Sequence, residues 1–222
     1  MPLPTVSEKT AASRRTFLGA TSALAVGAMA SNVAANETTP APAVHPAGSD
    51  EIRVALVGCG GRGAGAAADA LSVPQANVKL HAIADIFQQQ IDNKRKGLTN
   101  QFKEKVDVTD DRCFVGMEAY KQAVDCLRPG IDIAVFATPP AFRAAHFAYA
   151  IEKGVHVFME KPVSIDGPST KRILALADQA DAKNLKVGVG LMCRHSVARR
   201  ELFDRLQNGE AGELLTFYGY RE

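Results

Sequence analysis

The stretch Arg53-Val54-Ala55-Leu56-Val57-Gly58-Cys59-Gly60-Gly61-Arg62-Gly63 constrains this chain more than any other. An apolar run ends in the spacing Gly58-x-Gly60-x-x-Gly63, and small residues at helical spacing, Ala64 to Leu71, follow at once. Each glycine meets a physical need. One makes the tight turn off a strand, one lets a pyrophosphate approach the backbone, and one lets helix and strand pack closely. The free N–H groups and positive dipole end of the helix then face the phosphates. Such a turn is weak on its own, but here a second strand, Val78 to Ala84, ends at Asp85. That is close to the ~20-residue interval expected for a carboxylate that accepts from the adenosine ribose. A dinucleotide site follows from this context.

Downstream, strand and helix patterns alternate. Gln88–Lys105 reads as a polar helix with a thin apolar face of Ile91, Leu98 and Phe102, and Val106–Val108 as a short strand. Glu118–Leu127 reads as a helix, and Ile131–Ala137 as a buried strand that stops at Thr138-Pro139-Pro140. A helix over Ala141–Lys153 precedes Gly154, and a strand over His156–Met159 precedes Glu160-Lys161-Pro162. Asp166–Asn184 is helical, with Ile173, Leu174, Leu176 and Ala177 inward, and Leu185–Met192 is the last parallel strand. The fold class is therefore α/β, a Rossmann-type doubly wound parallel sheet over residues 51–193. Ser196–Asn208 is an amphipathic helix and Leu214–Tyr220 alternates like a new half-buried strand. That strand would have no partner in the sequence, so residues 194–222 are expected to open a truncated C-terminal α/β substrate domain.

The N-terminus reads differently. Arg14-Arg15 precedes a weakly hydrophobic Gly/Ala-rich segment, Phe17–Ala30, of 14 residues. That is shorter than the ~18 apolar residues of a membrane span. It resembles a twin-arginine export signal over residues 1–30, with a small-x-small site at Ala28-Met29-Ala30 or Val33-Ala34-Ala35. Residues 31–50 read as a disordered linker. The expected location is periplasmic or extracytoplasmic. A twin-arginine substrate crosses already folded, so a cytosolic cofactor can be loaded first.

Of 26 basic and 24 acidic residues, the first 30 positions hold Lys9, Arg14, Arg15 and Glu8, which leaves 23 of each sign. No basic surface for nucleic acid is indicated. Tryptophan is absent, so an aromatic platform for bases or sugars is unsupported. Cys59, Cys113, Cys126 and Cys193 show neither a C-x-x-C pair nor a histidine at metal spacing, so no metal is expected. They read as small buried thiols, with a disulfide open outside the cytosol.

Glu160-Lys161-Pro162 at a strand's C-terminal end is the second informative site. A partly desolvated lysine there, beside a nicotinamide ring, can exchange a proton with a substrate hydroxyl, while Glu160 orients it or holds its charge. Arg62 lies over an adenine, reaches the phosphates, or faces solvent. His146 and His195 read more readily as packing or capping residues than as ligand contacts.

Together the glycine turn, Ala84-Asp85, Ala137-Thr138-Pro139-Pro140, His146, Gly154-x-His156-Val157-x-x-Glu160-Lys161-Pro162 and Arg194 resemble the Gfo/Idh/MocA oxidoreductases, in order and spacing, over about residues 51–222. The resemblance implies a Rossmann domain, a following α/β domain on a large open sheet, and NAD(P) between them. It implies a catalytic Lys161 and a cis Lys161–Pro162 bond. Cofactor contacts are then expected from Gly58, Gly60, Arg62, Gly63, Asp85, Thr138, Pro139, Glu160, Lys161 and Pro162. Asp85 favours NAD over NADP, because its carboxylate would repel a 2′-phosphate and Ile86-Phe87 supplies no arginine. The implied reaction is hydride transfer between nicotinamide and a sugar, sugar derivative or cyclic polyol, by a homo-oligomer when full length. Two alternatives stand beside it: an NAD-retaining glycoside hydrolase of the same superfamily, and a non-catalytic dinucleotide-binding module. The Asp and His that members carry in the second domain have no counterpart here, so this chain alone is expected to bind cofactor weakly and turn over poorly.

Overall fold

The structure is a computed structural model that describes residues 51–220; the expected export signal and linker lie outside the described residues. Six strands form one sheet. They are β1 (Glu51–Val57), β2 (Asn77–Asp85), β3 (Cys113–Val115), β4 (Ile133–Phe136), β5 (His156–Met159) and β6 (Val187–Val189). Every pairing is parallel and the order is β3-β2-β1-β4-β5-β6. From β1 the chain winds outward to β3, then returns to β4 on the other side. The crevice where the winding reverses, at the C-terminal ends of β1 and β4, is where open α/β sheets bind ligands.

Alternation along β1 sends Val54 and Leu56 to one face and Ala55 and Val57 to the other. The first pair packs with Leu80, Ile83 and Val135 beneath helices α1 (Gly61–Leu71) and α2 (Gln88–Phe102). The second packs with Ala84, Phe136 and Val157 beneath α3 (Ala119–Asp125), α4 (Arg143–Glu152) and α5 (Gly167–Ala182). Both faces are covered, which is why the strands are continuously apolar. The register slips once: Val54 pairs with Leu80 but Ala55 with Ala82. His81 is the extra residue of this bulge, held by Asp107 at 3.1 Å and by Arg112 at 2.7 Å. Without the bulge Leu80 and Ala82 would share a face, and one face would lose its apolar partner.

Several expected elements shift. Val106–Val108 is not a strand; Val106 makes a single bridge to Leu80, and the edge strand is Cys113–Val115 after two 3₁₀ turns. Leu174 is 61% exposed, so the inward face of α5 is Leu176 and Ala180 with Ile173 at its margin. The expected strand over Leu185–Met192 is only Val187–Val189, because the Leu191 N–H turns back onto the Val189 carbonyl at 2.7 Å. The chain then enters a short helix, α6 (Met192–His195), so Cys193 is exposed rather than buried. The helix α7 (Val197–Gln207) forms as expected, but none of its residues is buried, and its apolar Leu202 and Phe203 are exposed. Leu214–Tyr220 forms no strand; Phe217 and Tyr220 are 87% and 89% exposed. Among the described residues no helix is long and apolar enough to cross a membrane.

Candidate dinucleotide site

The glycine turn is built as its spacing requires. Gly58 has φ +96°, and a Cβ there would stand 2.7 Å from the Thr138 nitrogen. A Cβ on Gly63 would stand 1.9 Å from the Gly58 carbonyl oxygen, so only hydrogen lets α1 approach the turn. Gly60 caps α1 without any side-chain hydrogen bond, no acid occupies the first turn, and a Cβ on Gly60 would meet nothing within 4 Å. The helix thus presents uncapped N–H groups to open space, the arrangement that accepts an anion.

Asp85 closes β2 beside this turn. Its Oδ2 accepts the Cys59 N–H at 2.6 Å and its Oδ1 the Phe87 N–H at 3.0 Å. A carboxylate has about four acceptor positions, so two remain for a ligand's hydroxyls. The Cys59 thiol is buried and donates to the Ala84 carbonyl at 3.4 Å. Burial pushes its pKa up, with the Asp85 charge adding to the effect, so it stays a protonated packing residue.

A cavity of about 300 Å³ opens over the ends of β1, β2 and β4. Gly58, Gly60, Asp85, Thr138 and Pro139 line it, five residues singled out from the sequence. Its apolar walls are Phe87, Met117, Tyr120, Phe142 and the imidazole of His146. Sequence reasoning missed Met117, Tyr120 and Phe142. Tyr120 read only as part of a helix face, and nothing local marks Met117 or Phe142. His146 is 5% exposed, pairs with the Thr138 hydroxyl at 3.1 Å, and stacks near Tyr120 with ring centroids 4.2 Å apart. Burial, with the nearby Arg143 charge, pulls its pKa down to about 4, so it is neutral near pH 7. It is a packing residue and a cavity wall at once.

Arg62, Gly63, Glu160, Lys161 and Pro162 stand outside the cavity lining. Arg62 neither faces solvent freely nor points at the cavity: its Nε donates to Glu160 Oε1 at 2.8 Å, and Asp69 lies 3.5 Å from its Nη2. The Glu160 hydrogen bond raises the Arg62 pKa above its ordinary value. Glu160 therefore holds Arg62, not Lys161. Lys161 is exposed rather than partly desolvated, and Lys161–Pro162 is cis. Arg143, which sequence reasoning also missed, is fully buried and donates to the main-chain carbonyls of Thr138, at 2.6 Å, and Glu160.

Taken together, the uncapped helix end, the bare Gly60, the Asp85 carboxylate with acceptor positions to spare and the apolar cavity fit a dinucleotide. Gly58, Gly60 and the first turn of α1 would hold its phosphates, Asp85 its adenosine ribose.

Comparisons with known proteins agree. The Gfo/Idh/MocA family model, an oxidoreductase family with an NAD-binding Rossmann fold, matches residues 52–190. An alpha-N-acetylgalactosaminidase of Shewanella oneidensis is 25% identical over 215 residues, covering 89% of this chain and 45% of that protein. An inositol 2-dehydrogenase of Corynebacterium glutamicum is 30% identical over 105 residues, 47% of this chain and 31% of that one. The chain thus spans less than half the length of these relatives. Among solved structures, scyllo-inositol dehydrogenase of Lactobacillus casei with NAD(H) and scyllo-inositol superimposes with a TM-score of 0.56 at 24% identity. The match covers 73% of this chain and 43% of that one, and establishes the fold. Motif, topology and family match converge: the chain belongs to the Gfo/Idh/MocA oxidoreductases, with an NAD-binding Rossmann fold.

Proposed function

We propose that the complete protein transfers a hydride between NAD and a carbinol carbon of a sugar, sugar derivative or cyclic polyol. The observation that carries this reading is the placing of an uncapped helix end and Asp85 in one cavity at the sheet's switch point, with Lys161 at the end of the strand adjoining β4. Bound NAD supplies the hydride acceptor. The glycine turn anchors its phosphates, Asp85 accepts from its ribose and disfavours a 2′-phosphate, and Lys161 takes or returns the substrate hydroxyl proton. Substrate contacts come from a second domain that residues 194–222 begin, and the full-length protein works as a homo-oligomer. The Arg14-Arg15 signal sends the folded, cofactor-loaded protein out of the cytoplasm by the twin-arginine route.

A second reading is favoured by a relative that aligns over 89% of this chain, the alpha-N-acetylgalactosaminidase. In it the same proton and hydride steps occur within a cycle that cleaves a glycoside and returns NAD unchanged. The test uses the complete gene product without its signal, assayed with NAD against free polyols and aryl glycosides. NADH absorbance that rises with a polyol and falls at least roughly a hundredfold in Lys161→Ala establishes the dehydrogenase, since removing a general acid–base costs ~10²–10⁴. Glycoside cleavage without net NADH moves the assignment to the hydrolase. Full activity in Lys161→Ala removes the lysine from the mechanism.

A further inference from the structure

Glu160 is held both at its side chain and at its main chain. The Glu160 side chain is 7% exposed, and an ionised carboxylate taken out of water is costly unless paired. Arg62, 98 positions away in sequence, reaches it with Nε at 2.8 Å. Gly190 makes room for it, since a Cβ there would stand 2.6–2.7 Å from the carboxylate atoms. The other end of the residue is held too, because the Arg143 guanidinium donates to the Glu160 main-chain carbonyl.

Arg143 itself is an expensive choice. It is 1% exposed, its Nε has no partner, and burial pulls its pKa down. An apolar side chain would fill that volume with no desolvation penalty, so packing alone does not account for a guanidinium. What the guanidinium does is span two adjacent strand ends. Its two terminal nitrogens take the Thr138 carbonyl beyond β4 and the Glu160 carbonyl beyond β5. Those are the loops that carry Pro139 and Lys161. A planar fork with separated donors does this; a single ammonium point charge does not.

We propose that Arg62 and Arg143 are positioning residues that clamp Glu160 at its carboxylate and at its carbonyl, and so fix the peptide from which Lys161 projects. Arg62 sits on the first turn of α1, the end that receives phosphates under the proposed function on which this inference rests. The clamp therefore joins the phosphate end of the site to the lysine end: an anion that orders the first turn of α1 also orders Arg62, then Glu160, then Lys161. The Arg62 side chain is half exposed and so open to a ligand, whereas Arg143 is fully buried.

The test needs no substrate. Wild type, Arg62→Gln, Arg62→Lys and Arg143→Met of the complete gene product are compared by NAD affinity in a calorimetric titration. Amide hydrogen exchange at Lys161 and Val163 is then followed with and without saturating NAD. In wild type NAD slows exchange at these amides by about tenfold or more, the scale of a charge-assisted hydrogen bond gained. Arg62→Gln loses that protection even at NAD concentrations that saturate it, Arg62→Lys recovers most of it, and Arg143→Met exchanges faster at both amides even without NAD. A residue that merely stabilised the fold would change exchange throughout the sheet and would not separate binding from protection. Protection that is unchanged in Arg62→Gln, or absent from a wild type that binds NAD, overturns the clamp and leaves the cofactor reading standing. A wild type that binds no NAD overturns the cofactor reading and the inference with it. The Arg62 pair decides between these outcomes whether or not Arg143→Met folds.

Discussion

Gly60 and Gly63 lie three residues apart in one turn, yet alanine at each position should fail in opposite ways. At Gly63 the new methyl would sit 1.9 Å from the Gly58 carbonyl oxygen and 3.1 Å from the Ala137 Cβ. Real Cβ contacts stay at or beyond 3.0 Å, so α1 must move away from the turn by about 1 Å. Both neighbours are main chain or short side chain, and neither can swing aside. Overpacking of this kind costs about 1–3 kcal/mol. In a domain of this size that lowers the melting temperature by roughly 2–12 °C, at ~2–4 °C per kcal/mol. At Gly60 the backbone has φ −69° and ψ −176°, which alanine adopts freely, and the methyl meets no protein atom within 4 Å. Stability should stay level or rise by about 0.4–1 kcal/mol, through the stiffer unfolded chain. The methyl instead fills the space a pyrophosphate needs. An intrusion of ~1–3 kcal/mol there weakens NAD binding by about fivefold to over a hundredfold, at ~1.4 kcal/mol per decade. Thermal melts followed by circular dichroism and calorimetric NAD titrations of both variants read the two effects separately. A Gly60→Ala protein that binds NAD as wild type does would refute the placing of the phosphates at this turn. A Gly63→Ala protein with an unchanged melting temperature would refute the packing argument.

Asp85→Asn keeps the shape but removes the charge, and one of its two side-chain heteroatoms can no longer accept the Cys59 or Phe87 N–H. The preference for NAD over NADP should narrow by about tenfold in a competitive titration, roughly one unit of charge repulsion at intermediate dielectric; an unchanged ratio would show that Asp85 does not face the ribose. His146 gives a stability prediction with a definite sign. Its folded pKa, about 4, lies below the ordinary 6.5, so between these values the unfolded chain binds the proton and the folded one does not. Stability from this group is full above pH 6.5 and falls by up to about 3 kcal/mol on acidification towards pH 4. Denaturant melts of wild type and His146→Gln across that range should converge at low pH; parallel curves would mean that the imidazole is not held neutral by burial.

How far the sequence reveals this fold depends on whether the signal is local. The strands β1, β4 and β5 are apolar on both faces, and each is followed by residues that only a strand end explains: the glycine turn, Thr138-Pro139-Pro140 and Glu160-Lys161-Pro162. Their alternation with helices fixes a parallel sheet. The edge strand β3 is harder. It is three residues long, its middle residue Phe114 is only partly buried, and it follows the polar run Thr109-Asp110-Asp111-Arg112. The more regular Val106-Asp107-Val108 looks like a better strand, but Asp107 is drawn off to His81 and Arg112, so the chain leaves the sheet after one bridge. That contest depends on the bulge at His81, which no window of sequence displays.

The site divides along the same line. Gly58, Gly60, Gly63 and Asp85 are legible because each meets a backbone or charge requirement at fixed spacing, and the spacing is in the sequence. The cavity's apolar walls are not, because Phe87, Met117, Tyr120 and Phe142 come from three separate connections that meet only once the sheet order is known. Glu160 shows the difference most sharply. Read along the chain, its nearest cation is Lys161, and a carboxylate beside a lysine invites the assumption that the two are paired. Along a strand end, however, successive side chains point to opposite sides. Glu160 turns inward to Arg62 and Gly190 while Lys161 turns out to solvent. Its partners, 98 and 17 positions away, are Arg62, which the sequence offers as a cofactor contact, and Arg143, which no local signal marks. A buried acid at the end of a parallel strand should therefore be matched first to cations in the adjoining loops and helix starts, since neighbours in sequence are placed on the wrong side to neutralise it.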